Sequence, residues 1–174
     1  YLMTAKPAAF ESSLYKADES KICVDTLTKT DCAVGAANQK PEVLVIGDSH
    51  AAHLSPFLDI VGKKEGWSAD VIMSNSCATA FGFVLPDSDR RAARCNPYNR
   101  FIEQKTKDYP VIIISQRWFL HTAKPEFLER FNTMLEDLVK AGKKVYVLAD
   151  TPMDGQLPLR RYYLRQKLGI DINY

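Results

Sequence analysis

The chain has 174 residues, 46% hydrophobic and 25% charged, with 23 basic against 21 acidic side chains and a formal net charge of +2. That length suits one domain with a sizeable core, and the near balance of charge excludes the large positive excess of a typical nucleic-acid binder. No run approaches the roughly 18 apolar residues of a membrane span, and nothing at Tyr1 resembles a signal peptide; the first residue is not Met, so the sequence reads as an excised piece.

Residues 1–40 show no long hydrophobic period: Tyr1 to Phe10 can form a short apolar segment, and Glu11 to Gln39 is polar, with Gly35 and Asn38 as breakers. This stretch reads as an extension packed on a domain of residues 41–174. The 4 cysteines fall into two local pairs, Cys23 with Cys32 and Cys77 with Cys95. Their spacing lacks the tight Cys-x-x-Cys of a zinc site, so no metal is expected, and of the possible pairings the local ones are favoured. The alternative is a set of reduced, buried thiols in a cytosolic protein. The oxidised reading places the chain in the periplasm or outside the cell, with the first bridge stapling an extension that buries little by itself.

The strongest organising element is Val43-Leu44-Val45-Ile46, an apolar β-branched run that stops at Gly47-Asp48-Ser49-His50. An unbroken apolar run is the mark of a buried parallel strand, and a glycine at its end lets the backbone turn sharply. Ser55-Pro56 reads as N-cap and first residue of a helix with Phe57, Leu58, Ile60 and Val61 inward, Lys63 and Lys64 in its last turn and Gly66 just past it. Ala69 to Met73 is a second strand ending in Ser74-Asn75-Ser76-Cys77. After a loop with Gly82 and Pro86, Asn96-Pro97 predicts a helix start, running to about Lys107 with Phe101 and Ile102 inward. Val111 to Ile114 is a central strand ending in Ser115-Gln116-Arg117-Trp118.

Lys124-Pro125-Glu126 opens an amphipathic helix in which Phe127, Leu128, Phe131, Met134, Leu135, Leu138 and Val139 recur at helical spacing, with Gly142 ending it. Val145 to Ala149 is a fourth strand, followed by Asp150, and Pro158 begins a last helix closed by Gly169. Strands alternating with helices predict an α/β fold, a three-layer sandwich about a central parallel sheet with right-handed crossovers. In such a sheet the loops after the strands open on one edge, gathering Ser49, Asn75, Ser76, Gln116, Arg117, Trp118 and Asp150. Ser49 is the candidate nucleophile, its own N–H the first candidate oxyanion donor, and Asp48 a brace for the turn.

Val45-Ile46-Gly47-Asp48-Ser49-His50-Ala51 resembles the first block of the SGNH hydrolases, the Gly-Asp-Ser esterases and acyltransferases. Gly-Asp-Ser-His preceded by a cysteine-bearing segment, with Arg117-Trp118 after the third strand, is similar to the periplasmic SGNH domain fused to integral-membrane acyltransferases that O-acetylate bacterial surface polysaccharides. The resemblance covers roughly residues 20–152 and implies a flavodoxin-like three-layer fold. Where the family's second block has an oxyanion glycine, this chain has Ser76-Cys77, making the Cys77 backbone a candidate donor. Where its third block has asparagine, Arg117 stands, as in the membrane-fused subgroup, a candidate to hold an acidic or carbonyl group or else a structural salt bridge.

The family's base comes from a late Asp-x-x-His block, and no Asp-x-x-His occurs in the 174 residues. The sequence therefore reads as truncated, swapped or incomplete at its carboxyl end and, alone, inactive or nearly so. His50 and His53 share Ser49's loop and are expected to be structural; His121 is better placed to approach but is not taken as the base.

The resemblance implies a periplasmic domain, tethered to the inner membrane in the full-length protein, that passes an acyl group, acetyl in the first instance, through a Ser49 ester to a hydroxyl of a cell-surface glycan such as lipopolysaccharide O-antigen. No cofactor is implied for the domain itself; acetyl-CoA or another acyl donor would be handled by a membrane acyltransferase domain, with a glycan acceptor and no nucleic acid as partner. An acetylesterase using the same serine and a non-catalytic glycan-binding domain are the rivals. Two basic clusters, Arg90, Arg91 and Arg94, and Arg160, Arg161 and Arg165 with Tyr162 and Tyr163, read first as solvated faces and second as contacts for an acidic glycan or lipid phosphate.

Overall fold

The computed structural model describes residues 19–29 and 31–150. They form a six-stranded sheet of β1 (Cys23–Val24), β2 (Ala33–Gly35), β3 (Val43–Gly47), β4 (Ser68–Met73), β5 (Val111–Ser115) and β6 (Lys144–Val147). The order is β1-β4-β3-β5-β6, every neighbouring pair parallel, with β2 pairing antiparallel to β4. Its helices are α1 (Ser49–His53), α2 (Ser55–Glu65), α3 (Ala92–Lys105), α4 (Trp118–His121) and α5 (Pro125–Lys140). The chain thus has the expected α/β sandwich.

Side chains of β3 alternate between the two faces, as the two-residue period of a strand requires. Leu44 and Ile46 enter a core with Ile112, Ile114, Tyr98 and Ile102 beneath α3 and α5, whereas Val45 joins Val71, Ala51 and Leu58 beneath α1 and α2. Leu44, Val45 and Ile46 are each 0% exposed, and burying each such side chain is worth about 1.5–3 kcal/mol. The register has a functional consequence. Gly47 pairs with Met73 on one side and Ser115 on the other, so the three central strands end level and their loops share one edge.

Several local expectations are corrected. The sheet has two strands more than the four expected, because the part of residues 1–40 that is described does not merely pack on the domain. β1 and β2 hydrogen-bond to β4, and the Cys23–Cys32 bridge joins the loop between them. Strands of two and three residues leave no periodicity to read. Phe57 and Ile60 point outward, 62% and 60% exposed, and α2 instead lays Leu58 and Gly62 on the sheet. A Cβ on Gly62 would lie 2.6 Å from the Trp67 carbonyl oxygen and 2.8 Å from the Gly35 Cα, so a small residue sets how closely α2 approaches β2. Ser55 is the first residue of α2 rather than its cap, donating its hydroxyl to the Ala52 carbonyl at 2.8 Å.

Pro97 lies inside α3, which starts at Ala92. Asn96 caps nothing: its side-chain amide accepts the Leu85 N–H at 2.8 Å and donates to the Leu85 carbonyl at 2.9 Å, pinning the preceding loop to the helix. The second bridge, Cys77–Cys95, ties the β4 loop to α3. On α5, Phe127, Phe131, Met134 and Leu138 are buried, while Leu128 and Val139 are exposed. The segment from Tyr1 to Phe10, the helix expected from Pro158, and the Arg160, Arg161, Arg165, Tyr162 and Tyr163 cluster lie outside the described residues.

Candidate functional site

The turn after β3 is built on Gly47. Its φ is +150°, and a Cβ there would stand 1.8 Å from the Ser115 carbonyl oxygen, so only glycine lets the end of β3 lie against β5. From α3, the buried Tyr98 hydroxyl accepts the Gly47 N–H at 3.1 Å. The same hydroxyl lies 3.0 Å from the Gly47 carbonyl and 3.1 Å from that of Ile72, either of which can take its proton. Burial pushes the phenol well above its usual range, so it holds this proton and locks the ends of β3 and β4 together.

Asp48 caps α1 and gathers donors from two loops. Its Oδ1 accepts the His50 N–H at 2.9 Å and sits 3.0 Å from His50 Nδ1. Its Oδ2 accepts the Arg117 N–H at 3.0 Å and sits 3.0 Å from Nε2 of the buried His121. Burial raises the Asp48 pKa, but the bonds from His121, Arg117 and His50, with the charge of His50, outweigh it and bring the carboxyl down to about 2. An ionised carboxylate only accepts, so both imidazoles donate to it, which fixes the proton on Nδ1 of His50 and on Nε2 of His121. The geometry is that of a brace joining the β3 turn to the start of α4.

Ser49 is the first residue of α1 and is half-buried. Neither its N–H nor its hydroxyl bonds to any described residue. Asp48 holds the rings of His50 and His121, so neither is turned to Ser49. His50 Nε2 is 3.5 Å from Asp150 Oδ1, and His53 is exposed, its ring 5.8 Å from that of His50. Among the described residues no imidazole pairs with the Ser49 hydroxyl.

The neighbouring loops meet this turn as the parallel sheet requires. Ser74 donates its N–H to the Gly47 carbonyl at 3.1 Å, and Asp150 comes to the edge through His50 and the Phe119 N–H. Trp118 packs on Phe131 at 4.9 Å and donates its indole N–H to the Leu148 carbonyl. Gln116 is buried rather than presented, its Oε1 accepting the Thr79 N–H at 2.8 Å. Arg117 donates its backbone N–H to Asp48, and the residue is exposed at the edge.

Cys77 does not supply the oxyanion N–H suggested by its position. It is 0% exposed and its N–H donates to the Ser74 carbonyl at 3.1 Å. Ser76, one residue earlier, has φ +57°, the left-handed conformation a glycine would adopt, and its N–H bonds to no described residue.

The residue that holds this loop, Asp25, has no signal in the sequence. It lies between Cys23 and Cys32, and its carboxylate accepts the Ser74 hydroxyl at 2.7 Å, the Asn75 N–H at 2.8 Å and the Asn75 side-chain amide at 2.7 Å. Despite partial burial, those bonds and Arg94 keep its carboxyl below the usual range. Asn75, expected at the site, is thus turned to Asp25. The bridge at Cys23 and Cys32 closes the short loop that carries this clamp.

The family model described as the SGNH domain (fused to AT3 domains) matches residues 15–173. No curated protein and no solved structure matches the sequence. The mostly parallel sheet with helices on both faces, with Gly-Asp-Ser-His turning at the end of its central strand, is consistent with that match. The chain belongs to the SGNH domains that are fused to AT3 domains, a hydrolase and acyltransferase type of domain.

Proposed function

We infer that the chain is the acyl-transfer domain of a periplasmic, membrane-tethered O-acyltransferase, with Ser49 as the residue that carries the acyl group. The observation that supports this most is the state of Ser49: half-exposed at the end of the central strand, with its hydroxyl and N–H free of any described partner, beside an Asp48 wholly occupied in bracing the turn. The Ser49 oxygen attacks the carbonyl of an acyl donor and gives its proton to a base. The tetrahedral oxyanion is met by the Ser49 N–H and, across the loop contact, by the Ser76 N–H. Collapse expels the donor's leaving group, which takes the proton from the base, and leaves an ester on Ser49. A glycan hydroxyl then attacks that ester as the base takes its proton, and the second collapse breaks the ester bond, the base returning the proton to the Ser49 oxygen as the acyl group moves to the sugar.

The donor is acetyl-CoA or another acyl carrier handled by the AT3 domains. The two disulfides support an oxidising compartment such as the periplasm. Asp48 holds His50 and His121, the exposed His53 makes no bond to Ser49 among the described residues, and the sequence has no Asp-x-x-His, so in this reading the base comes from another segment or chain and these residues alone are inactive or nearly so. A fluorophosphonate probe on the full-length protein tests the reading. Ser49 is labelled, and Ser49→Ala is not; a folded protein that resists the probe, or one labelled equally after the substitution, removes the assignment.

A further inference from the structure

A cleft of about 630 Å3 opens at the same edge of the sheet, lined by Ser76, Asp89, Arg90, Arg91, Arg94 and Leu120. Its volume falls within the roughly 300–1,000 Å3 of small-ligand sites. Two of its residues place it. Ser76 follows β4, Leu120 belongs to α4 after β5, and β3 runs between those strands, so a cleft touching both flanks opens beside the turn that carries Ser49.

Its charge is one-sided, three guanidinium groups against the single carboxylate of Asp89. Arg91 is fixed by Asp89 through Nε at 2.9 Å and a second nitrogen at 2.6 Å, and it also donates to the Ser76 carbonyl at 3.2 Å. Arg94 donates to the Asn75 carbonyl at 2.6 Å and lies 3.4 Å from Asp25. These two are preorganised cations with structural duties. Arg90 has none: it is exposed and bonds to no described residue. Leu120, 44% exposed, supplies an apolar surface beside them.

We propose that this cleft is the acceptor subsite and binds an anionic substituent, a carboxylate or a phosphate, of the glycan. Arg90 makes the direct contact, Arg91 and Arg94 supply the surrounding positive field, and Leu120 packs on the sugar ring. The identity of the ligand rests on the acyl-transfer reading above; the charge selectivity of the cleft does not.

Binding to the full-length protein carrying Ser49→Ala tests this, with four probes: a galacturonic acid trisaccharide, the neutral galactose trisaccharide, galactose 6-phosphate and glycerol phosphate. At least one anionic sugar binds about ten-fold more tightly than the neutral trisaccharide, the scale of one charge-assisted contact, and the advantage shrinks with salt. Which sugar shows it identifies the anion. Arg90→Ala, which removes no contact within the fold, abolishes the advantage. Equal affinity for charged and neutral sugars, an unchanged advantage in Arg90→Ala, or glycerol phosphate binding as tightly as the sugars, which would indicate a lipid headgroup, each overturns the proposal. Fluorophosphonate labelling of the protein with Ser49 intact separates the two readings. Labelling without charge preference removes the subsite alone; charge preference without labelling removes acyl transfer alone.

Discussion

Replacing Asp48 by asparagine tests the brace at the centre of the site. Each carboxylate oxygen takes two donors, His50 N–H and Nδ1 on one side and Arg117 N–H and His121 Nε2 on the other. An asparagine keeps one acceptor oxygen, and in either orientation its amide nitrogen faces two donors. With about 1–3 kcal/mol for each buried donor left unmet, a loss of about 3 kcal/mol at neutral pH is expected. The wild-type carboxyl is lowered from 3.8 to about 2, a shift worth about 2 kcal/mol. Because the folded value lies below the unfolded one, that stability is fully present above pH 3.8 and is lost as the pH falls through 2. The amide of the Asp48→Asn variant cannot titrate. Urea unfolding of both proteins at pH 7, 5, 4 and 3, extended towards 2, should therefore show a gap that is present from pH 7 to about 4 and narrows as the pH falls further. A gap of the same size across the whole range, or none at pH 7, would refute the assignment of Asp48 as an ionised brace.

Gly47→Ala should prevent folding or cost more than about 4 kcal/mol, since its Cβ meets the Ser115 carbonyl at 1.8 Å. Gly66→Ala, with φ +76° and nothing within 4 Å, should cost only about 1 kcal/mol in the same denaturation assay. Tyr98→Phe leaves the Gly47 N–H unmet in a buried setting and should lower stability by about 1–3 kcal/mol, read from the urea midpoint. Asp25→Ala frees the Ser74–Ser76 loop, so fluorophosphonate labelling of Ser49 should slow while global unfolding shifts little, and Asp25→Asn should recover part of the rate; unchanged labelling would remove the loop's role at the site.

The readable parts of this chain were those governed by local pattern. Val43 to Gly47, Val111 to Ser115 and the stripe from Phe127 to Leu138 announce a buried strand, another, and a helix facing the core, and together they predict the shared edge on which Ser49 stands. What could not be read depends on contacts across long sequence separations. Nothing near Asp25 marks it as the holder of Asn75, and nothing near His121 marks it as a donor to Asp48. Asn96-Pro97 carries the local signature of a helix start, yet tertiary packing extends α3 back to Ala92 and diverts Asn96 to Leu85. Phe57 and Ile60 follow the apolar spacing of α2, but Gly62 against Gly35 and Trp67 decides which face is laid down.

The Cys77 position shows why a motif match locates a loop better than an atom. The β4 loop does lie against the β3 turn, through Ser74 and Gly47. Its free N–H belongs to Ser76, because the next residue closes a turn onto Ser74 and is drawn into the bridge with Cys95. Only backbone conformation, φ +57° at Ser76, separates the two.

The most direct measurement is to trap the acyl enzyme. Full-length protein supplied with isotope-labelled acetyl donor is quenched in acid during turnover and digested, and its peptides are weighed. One labelled acetyl group should reside on the peptide containing Ser49, chase onto glycan when acceptor is added, and be missing from Ser49→Ala. Glycan acetylated at the wild-type rate by Ser49→Ala would contradict the account.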